Sequence, residues 1–377
     1  MNDFFHITYR LFLQDGDKLE ERIRSLQLEQ SAELPGNVVA SIGMQHVTGE
    51  VIRQEAADVD GAFDVTIAWP QQNHGNEITQ FLNVLFGNIS LKQGIMITGI
   101  RWSDVSPALF RGPSFGIPRI RELWGIPVRP LSCTALKPVG YSSEQLAGLA
   151  FELAVGGMDI IKDDHGLADQ PSAPFIERVK HCVAAMDRAA DKTGIRSRYF
   201  PNITADFSLV KDRYEMACEM GADGVLLSPM LAGPSVMHHL AHLSANGGIP
   251  IMAHPAFSGR YIADGSGMRC GFEAGLFYGG LFRALGADFV IYPNYGGRFS
   301  YSQETCHDIN RQARGTETPF PAAFPTPGGG MQLDRMSHWI RTYGNDTTFL
   351  IGGSLYEDSR GLEAAARAFA NILAEKA

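Results

Sequence analysis

Eight short apolar runs recur between residues 131 and 353, and no other feature of the 377-residue sequence narrows its fold as much. They are LSCTAL (131–136), MDIIK (158–162), YFPNIT (199–204), GVLLSP (224–229), IPIMAHP (249–255), ADFVIYP (287–293), AAFPTP (322–327) and TFLIGG (348–353). Between most of them lie stretches with apolar residues at helical spacing, such as SSEQLAGLAFELAVGG (142–157) and LVKDRYEMACEMG (209–221). Strand and helix alternating eight times implies an α/β chain with a parallel (β/α)₈ barrel. A doubly wound open sheet is the alternative, but no GxGxxG follows a first strand.

The region ahead of the barrel has another rhythm. FHITYRLFL (5–13) alternates as a strand, and residues 17–28 have helical spacing. VTIAWP (65–70) and GIMITGIRW (94–102) read as strands, with a helix over NEITQFLNVLFG (76–87) between them. This order predicts a small ferredoxin-like α+β domain. The Pro/Gly-rich FRGPSFGIP (110–118) marks its end, so the expected division is 1–122 and 123–377.

Composition excludes rather than selects. A net charge of −9 and a pI near 5.7 argue against a nucleic-acid partner. No run of 18 apolar residues suggests a membrane span, and the first residues carry no apolar core of a secretory signal. Five scattered cysteines without a CxxC pair read as reduced thiols of a cytoplasmic protein.

In a (β/α)₈ barrel, chemistry gathers where strands end. The polar residues there are Lys137, Lys162–Asp163–Asp164–His165, Asn202, His254, Asn294 with Arg298, and the glycines at 328–330 and 352–353. Side chains alternate along a strand, so Lys162 and Asp164 share a face. Carboxylate oxygens suit Mg²⁺, and a lysine made neutral by burial can add CO₂ to become a carbamate ligand. On residues alone, a lysine–aspartate ion pair at a strand end is the favoured reading. Lys137 is either an acid/base or an exposed charge. The glycine turns after strands seven and eight are either tight turns or backbone cradles for phosphate.

TALKPVGYSSEQLAGLAFELAVGGMDIIKDDHGLADQP (134–171) resembles the RuBisCO large-chain superfamily, where a KP turn follows the first barrel strand and GGxDxxKDDE ends the second. FRGPSFGI (110–117) and the paired glycine turns agree with it, as do LEQSAELP (28–35) and FGNISL (86–91). The resemblance implies metal binding by Lys162 (as carbamate), Asp164 and His165. It implies acid/base work by Lys137, and phosphate binding by Gly329, Gly330, Gly352 and Gly353. His254 and Arg298 would hold substrate oxygens, His254 close to the chemistry. Glu29 and Asn88 would reach the site of a partner subunit in a homodimer with shared active sites.

The departures matter equally. His165 stands where RuBisCO has a glutamate ligand, and Val139 leaves the KP turn without its second lysine. NYGGRFSYS (294–302) offers Arg298 where loop six carries a lysine, and His254–Pro255 replaces an HR dipeptide. The sequence is thus similar to RuBisCO-like, form IV proteins of a KDDH type, with no CO₂ fixation expected. The resemblance implies decarboxylation of a phosphorylated β-keto sugar acid, 3-oxo-isoapionate 4-phosphate, or its cleavage by transfer and hydrolysis. The alternatives are an enolase or isomerase of methionine salvage, acting on a methylthio-pentose or diketone phosphate, and a non-catalytic barrel with a binding role.

Overall fold

The computed structural model describes residues 3–105, 108–263 and 270–375. The chain forms two compact units. One comprises Met1–Arg111, Ser258–Phe277 and Gly315–Pro319, and the other Gly112–Phe257, Tyr278–Arg314 and Phe320–Ala377.

The first unit is built on a five-stranded sheet. Its strands are β1 (Phe4–Phe12), β2 (Glu50–Ala56), β3 (Ala62–Pro70), β4 (Ile95–Ile100) and the short β10 (Gly271–Phe272), in the order β10-β4-β1-β3-β2. Phe5, Ile7, Tyr9 and Leu11 are buried on one face of β1, the period of two read in the sequence. Helices Leu19–Glu29 and Ile78–Phe86 connect the strands as expected. The 4-1-3-2 order of a ferredoxin-like unit is therefore present. Sequence periodicity misses β2 because all but one of its residues are exposed, so no buried face marks it. It is an edge strand carrying Glu50, Arg53 and Glu55, charges that discourage edge-to-edge pairing.

In the second unit each of the eight apolar runs overlaps a strand. These are β5 (Leu131–Leu136), β6 (Ile160–Asp163), β7 (Arg198–Phe200), β8 (Val225–Leu227), β9 (Ile251–Ala253), β11 (Phe289–Pro293), β12 (Phe324–Gly328) and β13 (Thr348–Leu350). They pair in parallel in the order β7-β6-β5-β13-β12-β11-β9-β8, and an Asn202–Leu226 bridge joins the two ends of that order. The interior is packed with Leu131, Cys133, Ile160, Phe200, Leu226, Met252, Phe289, Ile291 and Phe324. Ile117 and Ile120, on the helix Gly116–Trp124, join the same cluster. No helix among the described residues is long and apolar enough to cross a membrane.

Candidate active site

The interior packing places the site. Ile160, Phe200 and Met252 point inward, so by strand alternation the residues two further on, Lys162, Asn202 and His254, also point inward, one layer nearer the strand ends. Asp164 is four beyond Ile160 and follows the same face. Asp163 falls on the opposite one, and its contacts agree. Its carboxylate is fully buried and accepts hydrogen bonds from Arg178 Nε (3.0 Å), Tyr199 OH (2.7 Å) and the Asn202 N–H (2.9 Å). Both of its oxygens are engaged by structure, so Asp163 is no ligand.

Lys162 is 2% exposed, and its Nζ donates to the Asp163 carbonyl at 3.0 Å. Burial lowers its pKa, against the pull of Cys133, Asp164 and Asp163. Burial thus favours the neutral amine, the form that CO₂ addition requires.

Lys137 Nζ lies 3.1 Å from Asp164 Oδ2, while Asp164 Oδ1 accepts the Gly166 N–H at 3.1 Å and faces His165 Nδ1 at 3.3 Å. Burial is the largest influence on this carboxyl and would raise it. Lys162, the Gly166 N–H, Lys137 and His165 together hold it below the ordinary carboxylate value. The His165 ring stacks on His254 with centroids 4.4 Å apart and planes at 15°. Burial, then Lys162, Lys137 and Arg298, lower the His165 pKa against the opposing pull of Asp164. His254 is lowered well below the usual histidine value, first by burial and then by Lys162 and His165. Ala256 N–H donates to His254 Nδ1 at 3.1 Å, so a neutral His254 carries its proton on Nε2 and acts as a donor.

Loops six, seven and eight are laced together. A Cβ at Gly297 would stand 2.0 Å from the Gly329 carbonyl, and one at Gly330 would stand 2.7 Å from Gly297 Cα. Gly329 and Gly330 have φ of +84° and +103°, conformations that favour glycine. Ser354 Oγ donates to the Met331 carbonyl at 3.1 Å, tying the eighth loop to the seventh. At Gly352 and Gly353 an added Cβ would meet nothing within 4 Å, so the backbone there is open to close approach. Arg298 is exposed, and its guanidinium lies over the Phe299 ring, 5.2 Å from the centroid, in a cation–π contact.

Glu29 and Asn88 belong to the first unit and meet there. Asn88 Nδ2 donates to Glu29 Oε1 at 3.2 Å, and Lys92 Nζ lies 3.0 Å from Oε2. Lys92 and then Asn88 lower the Glu29 pKa. Sequence reasoning missed Lys92, whose only signal is its place four residues beyond Asn88. It also missed Tyr356, whose hydroxyl accepts the Lys137 N–H at 3.3 Å and donates to the Ala135 carbonyl at 3.0 Å. That tyrosine lies over two hundred residues from the lysine it steadies.

The donor set also tests the fit of a hard cation. With Asp163 consumed, a bare Lys162 leaves one carboxylate and one imidazole, too few oxygens for Mg²⁺. Among the described residues no group of three His, Cys, Asp or Glu can hold an ion. A carbamate on Lys162 would add the missing oxygens beside Asp164 and His165, so the residues fit Mg²⁺ in that form only.

Comparison with known proteins shows the family. Residues 116–290 match the family model "Ribulose bisphosphate carboxylase large chain, catalytic domain". The chain is 36% identical to the 5-methylthioribulose-1-phosphate isomerase of Rhodospirillum rubrum, over 95% of this chain and 92% of that protein. It is 34% identical to the 2,3-diketo-5-methylthiopentyl-1-phosphate enolase of Geobacillus kaustophilus, over 81% and 73%. A crystal structure of the Rubisco-like protein from Rhodopseudomonas palustris superposes with a TM-score of 0.87 at 34% identity, covering 100% of this chain and 99% of that one. With the KDDH strand end, the paired glycine turns and full-length relatives in agreement, the chain belongs to the RuBisCO large-chain superfamily, among its RuBisCO-like proteins.

Proposed function

We propose that this protein forms an enolate from a phosphorylated keto sugar by moving a proton at the carbon beside a carbonyl, as an isomerase or enolase of methylthio-pentose or diketone phosphates. The observation that carries this reading is the Lys137–Asp164 pair, 3.1 Å apart, on the inward face beyond the buried Lys162. The names of the relatives in R. rubrum and G. kaustophilus support it over the decarboxylation expected from the KDDH resemblance. The glycine turns after β12 and β13 hold the phosphate through backbone N–H groups. Nε2–H of His254 donates to a substrate oxygen, and Arg298 offers a charge at the loop-six edge. Lys137 moves the proton. Mg²⁺, held by carbamylated Lys162, Asp164 and His165, would supply positive charge where the oxyanion develops.

One observation favours a second reading. Lys137 is ion-paired with Asp164, and a paired ammonium suits an acid better than a base. Decarboxylation of 3-oxo-isoapionate 4-phosphate needs no base: its C–C bond breaks, CO₂ leaves, and the enolate takes a proton. The test is turnover of the three substrates in ²H₂O, followed by NMR with trapping of CO₂. Isomerised or enolised methylthio-pentose phosphate with deuterium at the reacting carbon supports the first reading. CO₂ from the β-keto acid alone supports the second, and silence on all three leaves a binding barrel. Activity that survives excess EDTA would remove the metal.

The same reading extends to a homodimer in which Glu29 and Asn88 complete the partner's site. Two features support it. Val139, Phe207, Leu231, Phe257 and Phe299 are exposed after five of the eight strands, an apolar rim at the strand ends. Leu91, three residues from Asn88, is 86% exposed.

A further inference from the structure

A second group of metal-capable side chains lies on the helix Pro234–Ala245, which follows β8. His238 and His242 are four residues apart, so they stand one turn above another on one helix face. Their Nε2 atoms are 3.3 Å apart, and the rings meet edge to face with centroids 4.6 Å apart. Two imidazole nitrogens each about 2.0–2.1 Å from a tetrahedral ion lie about 3.3–3.4 Å from each other. The pair is thus spaced as two ligands of one ion without movement of the backbone. Both side chains are half-buried and keep a solvent-facing part. His242 lies in the last turn of the helix, where the peptide dipoles favour a cation.

We propose that His238 and His242 form a binding site for a borderline transition ion of the Zn²⁺ or Ni²⁺ class, separate from the strand-end cluster. A pair of imidazole nitrogens selects such ions over Mg²⁺, which takes oxygen ligands. Binding displaces the proton of the Nε2–Nε2 contact, onto an Nδ1 or to solvent, so that each Nε2 presents a lone pair to the ion. Water fills the remaining positions. Because the ion holds two points on one helical turn, it stabilises the folded chain by mass action.

The test is calorimetric titration of the full chain, first stripped with EDTA, with NiCl₂ in saturating Mg²⁺. Wild type should take up one equivalent. His238→Gln and His242→Gln keep a good helix former. Each should weaken binding by at least the roughly 10–100-fold lost when only a hydrogen-bond partner of a ligand is changed. Circular dichroism checks their fold. Wild-type affinity in both folded variants, or no uptake by wild type, overturns the site. If a variant does not fold, Cu²⁺ electron paramagnetic resonance on the wild type decides. Hyperfine coupling to two nitrogens supports the pair, and coupling to none or one refutes it.

Discussion

At the scale of single residues, the strand end separates neighbours by function through alternation alone. Asp163 and Asp164 are chemically identical, yet one is locked by Arg178, Tyr199 and a backbone N–H while the other keeps its oxygens toward Lys137 and His165. A buried charge with all its partners serves structure, whereas the Asp164 carboxylate, partnered by groups from the strand ends, is the candidate for chemistry. The prediction at this scale concerns Lys137. Lys137→Met should lower kcat by about 10²–10⁴, the usual worth of a positioned acid or base, with KM little changed. Steady-state kinetics on the substrate that turns over checks this, and a kcat within tenfold of wild type would take Lys137 out of the proton transfer.

At the scale of elements, loop chemistry and strand anchoring can be tested apart. Gly330→Val puts a branched side chain at φ +103° and its Cβ 2.7 Å from Gly297 Cα. The seventh loop must then move away from the sixth. If the glycines cradle phosphate, KM for the phosphorylated substrate should rise at least about tenfold, or about 1.4 kcal/mol. The unphosphorylated analogue should be unaffected, and an equal loss for both would refute the phosphate role. Asp288 is an anchor at the other end of the strands. Its buried carboxylate accepts the N–H groups of Phe115 and Gly116, which open the helix Gly116–Trp124, and that of Ile251 at the start of β9. Burial pushes its carboxyl up to about 6, against the pull of those three donors. The folded pKa is raised, so its contribution to stability is fully present below about pH 4, the unfolded value. It is lost as pH rises through about 6. A rise from about 4 to about 6 corresponds to about 3 kcal/mol. Urea unfolding of wild type and Asp288→Asn between pH 4 and 7 should show their stability difference changing by about that amount, to the disadvantage of wild type as pH rises. A difference constant with pH would sink this assignment.

At the scale of the whole molecule, the question is whether one chain owns a complete site. Glu29 is held by Asn88 and Lys92 within the first unit. A C₂ dimer lets such a unit cap a partner's barrel. Glu29→Gln and Lys162→Ala should each be inactive. Unfolded and refolded together in equal amounts, they form dimers of which half are mixed, and half the sites of those are intact. Roughly a quarter of wild-type activity should therefore return. Heterodimers seen by mass spectrometry without any return of activity would refute shared sites.

The sequence by itself determined the local order. Short apolar runs separated by helical spacings located all eight barrel strands, and motif spacing placed Lys162, Asp164 and His165 at one strand end. These are short-range consequences of backbone geometry, written within a few residues of each other. Only the tertiary structure decided which polar groups meet. The stacking of His165 on His254, the Lys137–Asp164 pair and the Tyr356 contact with Lys137 join residues from separate strands and loops. Edge strand β2 stayed hidden for a related reason, since its ladder partner lies on another segment and no buried face writes itself into the sequence. Closing a barrel brings distant strand ends to one face, and no periodicity records which side chains then touch.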